Sequence, residues 1–143
     1  MKKNSTDSEQ GHKMRLLFIA GNSAFQPVVS RFLKRYDELI LVGSSALESQ
    51  KVVSEALYFR PEVILLDMET SDQSGLETIS HLRASLPETG IIALSLLHAE
   101  GYRQTVLAAG ANDLVLKSTL KTDLLPAIHR AARNGRDGPG HMT

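Results

Sequence analysis

Five short, continuous apolar runs divide the middle of this 143-residue chain. They are Leu16–Ala20, Leu39–Gly43, Val63–Asp67, Ile91–Ser95 and Asp113–Lys117. Each has the length of a β-strand. A strand that is apolar at successive positions buries both of its faces, as the strands of a parallel sheet do.

Helical patterns separate the runs. Phe25, Val28, Val29, Phe32, Leu33 and Tyr36 repeat at helical spacing and predict a first helix with one apolar face. Ser23 and Gln26 have capping-box spacing, and Pro27 falls in the first turn, where its missing N–H costs little. A second helix carries Val52, Val53, Ala56 and Leu57 inward and must end before Pro61. A third is expected to start at a capping box of Ser74 and Glu77, with Leu76, Ile79, Leu82 and Leu86 inward. A fourth spans about 100–109 and stops at Gly110. The fifth carries Leu124, Leu125, Ile128 and Ala132, with Thr122 as its expected cap, because Pro126 deep in a helix breaks it. Strands alternating with helices give an α/β, five-stranded, parallel, doubly wound sheet. Its expected order is the flavodoxin-like 2-1-3-4-5, with the switch point between strands 1 and 3.

The folded domain is expected over 14–134. The polar segment 1–13 reads as a disordered N-terminal tail, and 135–143 as a flexible C-terminal tail or cut linker. Lys+Arg and Asp+Glu are 16 each, so no strongly basic face for nucleic acid is implied. There is no cysteine, which excludes disulfides, thiolate metal sites and a cysteine nucleophile. No apolar run approaches the roughly 18 residues of a membrane span, and none precedes Leu16 to act as a secretory signal. A cytoplasmic protein without direct nucleic-acid or membrane binding is the expectation.

In a parallel sheet the carboxyl ends of all strands meet at one edge, where open α/β folds bind ligands. Asp67 closes the third run there, Ser95 the fourth and Lys117 the fifth, and Gly21-Asn22 follows the first. A carboxylate, a hydroxyl and an ammonium together suit phosphoryl chemistry. Asn22 offers only a neutral amide oxygen to a metal, and Glu69 is the nearby acid that would swing in. The histidines His12, His81, His98, His129 and His141 show no ligand spacing.

From about Arg15 to Ala132 the chain resembles a response-regulator receiver domain of two-component signalling. Val63-Ile64-Leu65-Leu66-Asp67-Met68 is similar to the family's phospho-acceptor strand, and Gly75-Leu76-Glu77 to its following Gly-Leu-Glu. Ser95 matches the Thr/Ser position, Gly110-Ala111-Asn112-Asp113 the Gly-Ala-Asp-Gly turn, and Lys117 the strand-5 lysine. The resemblance implies Asp67 as phospho-acceptor, with Ser95 and Lys117 contacting the phosphoryl group. It implies partners as well: a histidine kinase, and a protein partner or second copy on the face of the fourth helix, fifth strand and fifth helix. Candidate contacts on that face are His98, Tyr102, Arg103, Leu114 and Lys121. The nearest flavour is the subgroup whose receivers precede a helix-turn-helix DNA-binding domain.

The chain departs from the family at the site. The two acids after strand 1 fall on Gly21 and Asn22, the Met-Pro after the acceptor on Thr70-Ser71, the strand-5 aromatic on Leu114 and the following proline on Ser118. In the family, Mg²⁺ is held by the second acid, the acceptor and the carbonyl two residues on, here that of Glu69. Asp67 alone would hold it weakly, so no cofactor is expected. The loss of the aromatic removes a bulky rotamer change and leaves an aliphatic strand face at Leu114. The expected function is that of an atypical receiver, a non-enzymatic interaction module with impaired or absent Mg-dependent aspartyl phosphorylation. The alternatives are a working phospho-acceptor at Asp67, or a small aspartate-nucleophile phosphohydrolase, since Asp67-Met68-Glu69-Thr70 faintly resembles the haloacid-dehalogenase signature.

Overall fold

The computed structural model describes residues 13–20, 25–45, 51–68, 73–96 and 100–137. The strands are β1 (Met14–Ile19), β2 (Leu39–Ser45), β3 (Val63–Met68), β4 (Gly90–Ser95) and β5 (Asp113–Leu116). The helices are α1 (Gln26–Leu33), α2 (Lys51–Phe59), α3 (Gln73–Ser85), α4 (Glu100–Ala109) and α5 (Leu120–Asp137). A 3₁₀ turn over Lys117–Thr119 leads into α5. All strand pairs are parallel, in the order β2-β1-β3-β4-β5. The fold class and the strand order expected above are those observed.

Successive strand residues point to opposite faces, and each face fills one hydrophobic layer. Leu16, Phe18, Val63, Leu65, Ile92, Leu94 and Val115 pack with Val29, Phe32 and Leu33 of α1 and Leu124, Ala127 and Ile128 of α5. Leu17, Ile19, Ile64, Leu66, Ile91, Ala93 and Leu114 pack with Val52 and Ala56 of α2, Ile79 and Leu82 of α3 and Val106 of α4. β3 and β4 are buried at every residue, which is why their sequences do not alternate.

Several element ends differ from expectation. Ser23 lies outside the described residues; α1 starts at Gln26 behind Phe25, which makes no side-chain cap, and Pro27 sits in its first turn as expected. α1 stops at Leu33, and Tyr36 packs from the following turn against Phe32, ring centroids 5.3 Å apart. Leu57 stays 40% exposed, so α2 buries only Val52 and Ala56 fully. α3 begins at Gln73, so Ser74 is inside the first turn, where its carbonyl accepts the Thr78 hydroxyl at 2.9 Å.

The largest correction concerns α5. It starts at Leu120, places Pro126 in its interior and continues to Asp137, past Asn134 and Gly135. An interior proline costs about 3 kcal/mol, because Pro126 donates no hydrogen bond to the Thr122 carbonyl. Burial of Leu120 and Leu124 offsets this at about 1.5–3 kcal/mol each. Thr119 and Thr122 bond the Asp123 carboxylate at 2.7 and 3.1 Å, tying the first turn together.

The amino-terminal edge of the sheet is held by two arginines. Arg83 donates to the carbonyls of Gly110, Leu86, Pro87 and Thr89 and to Asn112 Oδ1, 2.6–3.1 Å away. Asn112 Oδ1 also accepts the Ile91 amide. Burial lowers the Arg83 pKa from arginine's ordinary value by desolvation. Arg15 donates to the carbonyls of Phe59 and Arg60 at the end of α2.

Candidate functional site

β3 enters the sheet between β1 and β4 and ends with Asp67 at the carboxyl edge. Asp67 follows Val63 and Leu65 in parity, so it faces the layer of α1 and α5. Lys117 follows Val115 in the same way on β5 and the 3₁₀ turn. Parity therefore brings the two together from strands that are not neighbours. Lys117 Nζ stands 2.5 Å from Asp67 Oδ1, with side-chain exposures of 6% and 0%. No further donor reaches either carboxylate oxygen among the described residues. One ammonium meets the buried charge alone, so removing it would leave an uncompensated ion in a low-dielectric setting.

Ser95 is buried at the end of β4, but in register with Met68 and Leu116 rather than with Asp67, whose partner is Leu94. Its Cβ thus belongs to the face opposite to that of Asp67. Strand parity, readable in principle, carries this distinction.

A third participant is missing from the sequence expectations. The Phe25 ring lies over Lys117 Nζ, 4.9 Å from centroid to nitrogen. Its helical spacing in the sequence points only to a helix face; in the structure Phe25 is the N-cap residue just before α1. The ammonium is held between a carboxylate and an aromatic face.

Asn22 and Glu69, considered as metal ligands, lie outside the described residues, as does Gly21. Among the described residues no group of three or more His, Asp or Glu is arranged to hold a metal ion. Hard divalent cations of the Mg²⁺ type want several oxygen ligands. Asp67 offers one carboxylate, with a lysine already on one of its oxygens. Among the described residues, Asp67 alone does not make a divalent-cation site.

The expected interaction face divides. His98 lies outside the described residues. Lys121 is exposed and Tyr102 is half-buried against the α2–α4 layer. Arg103 is pinned: it donates to the Leu114 carbonyl and pairs with Asp113 at 3.2 Å, while Arg130 of α5 pairs with the other Asp113 oxygen at 2.8 Å. Leu114 packs inward with 8% exposure, not on an outward aliphatic face, because its parity on β5 is that of Ala93 on β4.

A family model for the response regulator receiver domain matches residues 17–129. The chain belongs to the response-regulator receiver family. It is 32% identical over 111 residues to YxjL of Bacillus subtilis (strain 168), an uncharacterized transcriptional regulatory protein, covering 76% of this chain and 51% of that one. It is 22% identical over 120 residues to the response regulator protein VraR of Staphylococcus aureus, covering 84% and 57%. The chain spans about half the length of these curated relatives. The signal receiver domain of NarL from Mycobacterium tuberculosis superposes with a TM-score of 0.75 at 20% identity, covering 86% of this chain and 98% of that one. A LuxR-family two-component response regulator from Aurantimonas gives 0.76 at 18% identity, covering 91% and 93%. The chain is therefore a receiver module of two-component signal transduction. No helix among the described residues is long and apolar enough to cross a membrane.

Proposed function

We propose that this receiver is atypical: a cytoplasmic signalling and protein-interaction module, not an enzyme, in which Mg-dependent phosphorylation of Asp67 is impaired or absent. One observation carries the reading. The buried Asp67 carboxylate is neutralised by Lys117 at 2.5 Å, while the positions of the family's paired acids hold Gly21 and Asn22. Phosphoryl transfer depends on positive charge that stabilises the transferring group. Here that charge is reduced to one lysine already committed to the acceptor.

The test is intact-mass measurement after incubation with a small phosphodonor and Mg²⁺. Little or no adduct is expected. A stoichiometric adduct absent from Asp67→Asn would instead establish the second reading, a working phospho-acceptor whose phosphoryl oxygens meet Lys117 and Ser95. The phosphohydrolase alternative has no support in the family match, and a chromogenic phosphate ester should not be hydrolysed.

Output would pass through the face of α4, β5 and α5, to a protein partner or a second copy. Tyr102, Arg103 and Lys121 supply its described side chains. The Arg103–Asp113–Arg130 pairs join the three elements into one surface, which suits constitutive contact. Light scattering at rising concentration tests the homodimer: a dimer independent of phosphodonor is expected, and a strict monomer would leave only a heterologous partner.

A further inference from the structure

An open groove of about 680 Å³ runs between α1 and the turn that joins β5 to α5. Its walls are apolar, with Phe25, Val28 and Phe32 along α1, and Val28 is 44% exposed. Its rim is cationic, with Arg31 and Arg35 on one side and Lys121 on the other, and no carboxylate of the described residues lines it. None of these three cations has an ion-pair partner among the described residues. By contrast, Arg103 and Arg130 are paired with Asp113, and Arg15 and Arg83 are bonded to backbone carbonyls. Exposed apolar surface beside several unpaired cations is an arrangement with an unmet complement.

We propose that this groove binds a small amphipathic organic anion, a planar apolar body carrying one carboxylate or sulfonate. The body would lie on Phe25, Val28 and Phe32. Arg31 in α1 and Arg35 in the turn that follows it both line the groove, so their guanidinium groups would meet an acidic head with charge-assisted hydrogen bonds. The volume falls in the range of small-ligand sites, roughly 300–1,000 Å³. Inorganic phosphate alone would leave the apolar wall wet, and a neutral aromatic would leave the cations unmatched. The site is separate from Asp67 but adjacent to it, since Phe25 is both groove wall and the ring over the Lys117 ammonium.

The experiment is an amide NMR titration of the full chain with naphthalenesulfonate, with naphthalenemethanol and inorganic phosphate as the two half-ligands. Saturable shifts confined to α1 and residues 117–122 are expected with the sulfonate. Each half-ligand should bind at least about tenfold more weakly. Arg31→Glu with Arg35→Glu, both at exposed positions, should weaken the sulfonate by at least about tenfold. Lys34→Glu, exposed at the C-cap of α1 but outside the groove, should leave its affinity unchanged. Non-saturable shifts, shifts elsewhere, equal binding of phosphate, or equal loss in Lys34→Glu would each overturn the proposal. So would an acidic peptide that saturates these residues where the sulfonate does not, because the groove would then be a protein-docking surface.

Discussion

The pair of Asp67 and Lys117 is the energetic centre of this site. Both groups are removed from water, and each is the other's main compensation. Breaking such a pair by removing one partner typically costs about 3–5 kcal/mol, whereas replacing both by neutral groups is often close to neutral. Lys117→Met should therefore destabilise by about 3 kcal/mol in urea unfolding, and Asp67→Asn added to it should recover most of the loss. Additive losses would mean that the two groups do not compensate each other. The sequence already placed both residues at the strand ends, since each closes an apolar run. It did not show their contact, because β4 lies between β3 and β5 and only the shared parity of 63, 65 and 67 with 115 and 117 brings them to one face. The Phe25 ring above Lys117 was illegible for another reason: an aromatic at helical spacing is most economically read as core.

At the scale of elements, apolar runs and glycines were readable, while ends decided by tertiary packing were not. α4 has the expected span because Gly110, at φ +128°, ends it. α5 starts earlier than expected because the burial of Leu120 and Leu124 together offsets the local penalty at Pro126. The end of α2 is the clearest local strain. Arg60 sits at φ +48°, in the left-handed region, with its amide on the Ala56 carbonyl at 2.9 Å. A glycine usually takes that position. Arg60→Gly should stabilise the protein by about 1 kcal/mol, since the left-handed conformation costs an L-residue about 1–2 kcal/mol and glycine returns part of that as chain entropy. Arg15 bonds the backbone carbonyl of residue 60, so that contact survives the change. Gly90 makes the opposite case. A Cβ there would stand 2.5 Å from the Ala131 carbonyl oxygen of α5, so Gly90→Ala must push the helix off β4. A loss of about 1–3 kcal/mol is expected from thermal unfolding, and no loss would mean that α5 is more loosely seated than its contact with β4 implies.

At the scale of the molecule, the braced amino-terminal edge and the two full hydrophobic layers make the receiver fold independent of its phosphorylation chemistry. The site acids contribute little to folding, because like charges gathered at one edge repel unless a cation joins them. A chain with Gly21 and Asn22 in their place keeps the scaffold, and under the proposed reading its phosphorylation chemistry should be recoverable locally. Gly21→Asp with Asn22→Asp would add two carboxylates at the switch-point edge near Asp67. Without metal the variant should be no more stable than the parent, and slightly less if residue 21 needs the backbone freedom of glycine. With Mg²⁺ in tenfold excess over its Kd, linkage adds about 1.4 kcal/mol, or roughly 5 °C in melting temperature for a domain of this size. The parent should show no such rise at low millimolar Mg²⁺. A rise in both proteins would mean that Glu69 or another residue outside the described set completes a metal site with Asp67, and would favour the working phospho-acceptor. A rise in neither would mean that the loop after β1 does not deliver its residues to Asp67, whatever the strand order. A rise in the variant alone, with phosphoryl adduct formation returning beside it, would show that this receiver lost its chemistry through two residues while its fold, its Lys117–Asp67 pair and its interaction face stayed in place.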